Sequence, residues 1–165
     1  MRATGFTIAM SLVAIVGFAG CGGSQKSDST EKGQAITFYA NGDFQGAFDY
    51  CRDMETKDTS SADVKEEVRT CFAVRAAIHM LREDMESARQ EIRRGCEMAS
   101  ALEMDKVGTA GVTMWLFLSV KMSNSGQVPD ATINQIVDIY LMECGISDAQ
   151  LAEVLKQLVE KLNQG

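Results

Sequence analysis

The residues with the widest chemical repertoire in this 165-residue chain are five cysteines and one histidine. Cys21 ends an uncharged apolar run, whereas Cys51, Cys71, Cys96 and Cys144 are spread over the rest of the sequence. A thiol can act as a nucleophile, a metal ligand or half of a disulfide. No C-x-x-C pair occurs, so the dithiol redox motif is missing. His79 alone cannot supply the Cys/His spacing of a structural zinc site. An even number of cysteines after an export-type leader points to two disulfides. The competing reading is buried free thiols, which pack as small hydrophobes. Three pairings are possible. Cys51 with Cys71 and Cys96 with Cys144 is preferred, because both would join elements close in sequence. Closing a loop of about 20 residues contributes roughly 3 kcal/mol on the chain-entropy model.

Other chemistry is sparse. The motifs G-x-S-x-G, H-E-x-x-H and the P-loop are all absent. A Ser-His-Asp arrangement would have to use His79, which lies beside Met80 in a helical stretch and suits packing or a surface hydrogen bond. Glu66-Glu67 and Asp84/Glu86 fall at helix starts, where the helix dipole favours negative charge. Arg89, Arg93 and Arg94 interleave with Glu86, Gln90 and Glu91 at i, i+4 spacing and read as a solvated charged face. The expectation is a non-enzyme with neither metal nor cofactor.

The first residues, MRATGFTIAMSLVAIVGFAGC, carry Arg2, an apolar stretch from Ile8 to Phe18, and the small residues Ala19 and Gly20 before Cys21. That is the layout of a secretory signal, and it is shorter than the roughly 20 apolar residues of a spanning helix. Phe18-Ala19-Gly20-Cys21 resembles the lipobox of bacterial lipoproteins, although Phe18 stands where leucine is usual. The resemblance implies cleavage before Cys21 and acylation of that cysteine. Acyl chains contribute about 0.8 kcal/mol per buried CH₂, so two or more make a stable anchor. Gly22, rather than aspartate, implies the outer membrane in a Gram-negative host, with the protein facing the periplasm. The segment GGSQKSDSTEKGQ has the composition of a flexible tether. The expected organisation is a signal peptide over 1–20, an acylated tether over 21–33 and one domain over 34–165. A net charge of −7 argues against nucleic acid as a partner.

The elements that must position these residues are helices. Phe44, Ala47, Phe48 and Cys51 follow i, i+3, i+4, i+7. The same period runs through Val64, Val68, Cys71, Phe72 and Ile78, then Met85, Ala88, Ile92, Cys96 and Ala99. It continues in Ile133, Ile136, Val137 and Tyr140, and most cleanly in Leu151, Val154, Leu155, Leu158, Val159 and Leu162. Asp43 and Asp84 stand where N-caps belong. Ser147 and Gln150 form a capping-box pair, and Pro129 sits at a helix entrance. Lys156 and Lys161 suit the C-terminal dipole of the last helix. TAGVTMWLFLSVKM, Thr109 to Met122, is apolar on most sides and reads as the central buried helix, with Trp115 as a core anchor. About seven helices and no strand are expected: an all-α fold.

Three segments look alike: YANGDFQGAFDYC, HMLREDMESARQEI and MSNSGQVPDATINQI. Phe44, Met85 and Val128 precede Ala47, Ala88 and Ala131 by three residues in each. The pattern resembles the turn between the two helices of a tetratricopeptide repeat, whose period is about 34 residues. Loops such as METKDTSSAD lengthen the spacing here, and the family's Trp, Leu-Gly and Pro positions are missing. The resemblance implies antiparallel helical hairpins stacked as a short solenoid, with Asp148 to Leu162 as its cap; a compact helical bundle is the alternative. It also implies a scaffold or adaptor for an envelope protein, in envelope assembly or a pilotin-like role, gripping its partner through Tyr39, Arg75 and His79. A second expectation is a disulfide-linked bundle that binds a small ligand or lipid, for which Met80, Met85, Met98, Met104, Met114 and Met122 would form an adaptable pocket.

Overall fold

The computed structural model describes residues 33–125 and 129–164. The leader, the lipidation position Cys21, the tether to residue 32, and Val128 in the third repeat-like segment lie outside the described residues. Seven helices and no strand form within them: α1 Gln34–Ala40, α2 Phe44–Met54, α3 Ala62–Leu81, α4 Met85–Ala101, α5 Lys106–Ser125, α6 Asp130–Cys144 and α7 Asp148–Gln164.

Local chemistry fixes the starts. Asp43 accepts a hydrogen bond from the Gly46 amide, Asp84 from Ser87 and Ser61 from Val64, so each caps its helix. At α7 the capping box closes in both directions: Ser147 N donates to Gln150 Oε1 at 3.1 Å, and Gln150 N donates to Ser147 Oγ at 3.4 Å. Pro129 precedes α6 at φ −59°.

One turn geometry recurs at three helix ends. The amide of Asp43 bonds back to Phe38 O, that of Asp84 to His79 O and that of Met104 to Ala99 O. In each case the preceding residue is left-handed: Gly42 at φ 73°, Glu83 at 62° and Glu103 at 56°. These six-to-one bonds satisfy carbonyls that the helix end would leave free. Glycine takes this conformation without a Cβ penalty, whereas a side chain costs roughly 1–2 kcal/mol. Glu83→Gly and Glu103→Gly are each expected to raise stability by up to about 1 kcal/mol, after the entropy glycine adds to the unfolded chain. Thermal melting checks this, and a lowered midpoint would contradict it.

Substantial packing runs between helices one or two places apart in the chain. α3 packs on α1, α2, α4 and α5; α4 also packs on α5 and α6; α7 packs on α5; and α1 packs on α2. Alanines at the crossings, Ala35, Ala47, Ala76, Ala77, Ala88 and Ala110, are fully buried and let the backbones approach. Ala131 differs from Ala47 and Ala88, because it is exposed. The most enclosed helix is α3 rather than α5. From Val68 to Ile78 only Arg69 escapes full burial, because neighbours press on α3 from four directions.

Cys96 and Cys144 are joined across α4 and α6, with a Cα–Cα separation of 5.4 Å. Cys51 and Cys71 depart from the expected second disulfide. Both are free, buried thiols on α2 and α3, and they meet side by side in the core. The hydrogen bond with Cys51, then burial, push the Cys71 thiol well above the ordinary thiol range. It therefore stays protonated and unreactive. Sequence nearness brought the two sulfurs together, but they pack here as small apolar groups.

Candidate functional site

The three residues expected to form a groove do not form one. Tyr39 is 4% exposed, and its hydroxyl donates to Leu116 O at 2.8 Å, tying α1 to α5. Burial raises its pKa above the usual phenol range. Arg75 is 5% exposed, and its Nε donates to Glu91 Oε2 at 3.0 Å. It pairs with Glu55 at the end of α2 and with Glu91 of α4, the latter at 3.0 Å. Arg94 reaches Glu55 at 2.8 Å and Glu91 at 3.6 Å. Both guanidinium groups lie over the Phe72 ring, at 4.8 and 5.5 Å. This two-arginine, two-glutamate cluster fastens three helices and buries Arg75 out of a partner's reach. His79 is half-buried, edge-on to Phe48 at 5.3 Å, with Nδ1 3.3 Å from the Asp84 carboxylate. Its role is packing beside the α4 cap. The A-helix face that should bind a partner is closed because α3 is surrounded.

The arginine string of α4 is also more than a solvated face. Arg89 Nε donates to Glu143 Oε1 at 2.5 Å, and Arg93 Nε donates to Oε2 at 2.6 Å. Glu143 precedes the disulfide residue Cys144, so clamp and covalent bond lie together at the α4–α6 contact. Hydrogen bonds from Arg93 and then Arg89 hold the Glu143 carboxyl at about 2, below its ordinary 4.5. A group with a depressed folded pKa stabilises fully above its unfolded pKa and loses that contribution as pH falls through the folded value. The stability difference between wild type and Glu143→Gln is therefore expected to be constant above about pH 5 and to shrink towards pH 2. Urea midpoints across that range test it; a difference independent of pH would refute the clamp.

The open concavity lies between α5 and α7. It encloses about 950 Å³. Val107, Val112 and Trp115 of α5 face Val154 and Leu158 of α7 across an apolar floor. Trp115 is thus partly exposed in a groove and not sealed in the core. Asp105 and Glu153 bring carboxylates to the lining, and Gln150 and Gln157 bring amides; among the described residues no lysine or arginine lines it. Asp105 also caps α5, accepting from Val107 N at 2.9 Å and Gly108 N at 3.0 Å. Glu153 accepts from Gln157 one turn on, at 3.0 Å. Arg69 approaches Gly108 from α3 and is paired with Glu66.

The position of Trp115 could not be read from periodicity, because α5 is apolar on nearly every side. The signal available in the sequence was Gly108 and Gly111, two glycines inside a helix. Among the described residues, no cluster of three or more His, Cys, Asp or Glu is placed to hold a metal ion. None of the described helices is long and apolar enough to cross a membrane. No protein-family model, curated protein or solved structure matches this chain.

Proposed function

We propose that this chain is a lipoprotein, anchored through Cys21 in the outer membrane and facing the periplasm, that acts as a protein-binding scaffold built as a short tetratricopeptide-like stack. Three features support the stack: packing between chain neighbours, the turn shared by Asp43 and Asp84, and the buried alanines that follow at Ala47 and Ala88. The observation that carries binding is the α5–α7 groove. An apolar floor with one partly exposed tryptophan and a polar rim is the composition of a protein-recognition surface, where aromatic anchors supply most of the affinity. The acyl anchor would raise local concentration at the membrane.

A photo-crosslinking amino acid at Val112, in intact cells, tests the site. One stoichiometric envelope protein captured by wild type and lost with Cys21→Ser supports the reading. Metabolic labelling with a fatty-acid analogue should mark wild type and not Cys21→Ser; label persisting in the variant would falsify the anchor. The groove's volume also falls within the roughly 300–1,000 Å³ of small-ligand sites, which keeps the lipid- or ligand-binding reading as the second. Melting with extracted lipids separates the two, since a bound ligand raises the midpoint with its concentration.

A further inference from the structure

We infer that the α5–α7 groove receives an amphipathic helix of the partner, apolar on the docked face and carrying lysine or arginine beside it; this rests on the scaffold reading above. The first ground is Gly111. Glycine inside a helix costs about 1 kcal/mol relative to alanine. Packing does not require it here, because a Cβ would meet only Val154 Cγ1, at an ordinary 3.6 Å. Gly111 lines the groove with Trp115, so a side chain longer than a methyl there would enter it.

The second ground is the shape of the lining. Two helices side by side present a furrow into which a third can pack at about 8–10 Å. An extended peptide would lay unpaired N–H and C=O groups on valine, leucine and tryptophan, with two glutamines and two carboxylates at the rim and only the glutamines able to donate to its carbonyls; a helix satisfies its own backbone. The third ground is charge. Among the described residues the lining holds two carboxylates and no lysine or arginine, the Arg69 guanidinium behind Gly108 is paired with Glu66, and the chain carries −7 overall. A second copy of this chain or an anionic lipid surface would meet repulsion, whereas a basic segment would be attracted.

Trp115 is the chain's single tryptophan, so its fluorescence reports on the groove alone. Two synthetic amphipathic helical peptides with the same leucine face, one with a lysine and one with a glutamate polar face, would be titrated into the folded protein. The lysine peptide is expected to blue-shift Trp115 saturably and the glutamate peptide to leave it unchanged. Glu153→Lys should weaken binding by about tenfold, since an attractive rim contact becomes repulsive. Gly111→Leu should abolish the shift by entering the groove, whereas Gly111→Ala should melt no lower than wild type, showing that the position tolerates a side chain. Equal response to both peptides overturns the charge assignment. A lysine-peptide shift that survives Gly111→Leu overturns the groove as its seat. Concentration-dependent burial of Trp115 without peptide overturns the partner in favour of a second copy. The Val112 crosslink is independent of these arms: a captured partner with a glutamate-peptide preference sinks this inference and leaves the scaffold reading intact.

Discussion

Arg75→Ala is expected to lower stability by about 3–5 kcal/mol, the range for removing one member of a buried ion pair. Arg75 has a side chain 6% exposed, against Glu91 at 14% and Glu55 at 23%. Without the guanidinium, among the described residues Glu91 keeps only Arg94 at 3.6 Å, and Glu55 only the half-exposed Arg94. Phe72 loses the nearer of the two guanidinium groups over its ring as well. Arg75→Lys keeps the charge but not the planar fork that spans two carboxylates, so it should fall between alanine and wild type. Arg94→Ala, at an arginine side chain 50% exposed, should cost about 1 kcal/mol or less. Urea unfolding of the three variants is the measurement. Equal losses for Arg75→Ala and Arg94→Ala would mean that the cluster is a surface decoration and not the fastening of α2, α3 and α4.

Removing the Cys96–Cys144 bond carries the other large effect. The two residues are 48 apart in sequence, and closing a loop of that length is worth about 4 kcal/mol on the chain-entropy model. The double variant Cys96→Ser, Cys144→Ser should show that loss, with amide exchange in α6 rising before that in α3. The reason is geometric: α6 packs on α4 beside the bond, whereas α3 is held by four neighbours. Alkylation gives the matching chemical result. Cys51 and Cys71 should take up label only after unfolding, and Cys96 and Cys144 only after reduction. Label at Cys96 in the unfolded, unreduced chain would refute the bond; absence of label at Cys51 there would refute the free thiols.

The lipobox reading depends on residues 18 to 21 and would be the same in any fold. The all-helical class was legible, because the 3.6-residue period and the caps at Asp43, Asp84 and Ser147 are short-range chemistry. A side-chain oxygen three residues before an amide meets it whatever the rest of the chain does. The Gly-Asp turn at Asp43 belongs with these, and its echo at Asp84 was visible despite Glu83 in place of glycine.

The site was not legible, because it depends on which helices cross. Glu67 looked like a dipole residue of its own helix, yet it reaches back to accept from Gly33 N at 2.6 Å and Ala35 N at 2.9 Å, capping α1 from more than thirty residues away. Arg89 and Arg93 looked solvated until α6 brought Glu143 against them. Arg75 looked available until four helices closed around α3, and Tyr39 until α5 met α1. Trp115 looked like core, yet it lines the groove between α5 and α7 and is partly exposed. Helix identity is settled by neighbours within about four residues, so the sequence alone determined it. Exposure and pairing of side chains depend on contacts between residues far apart in the chain, and only the tertiary structure decided those.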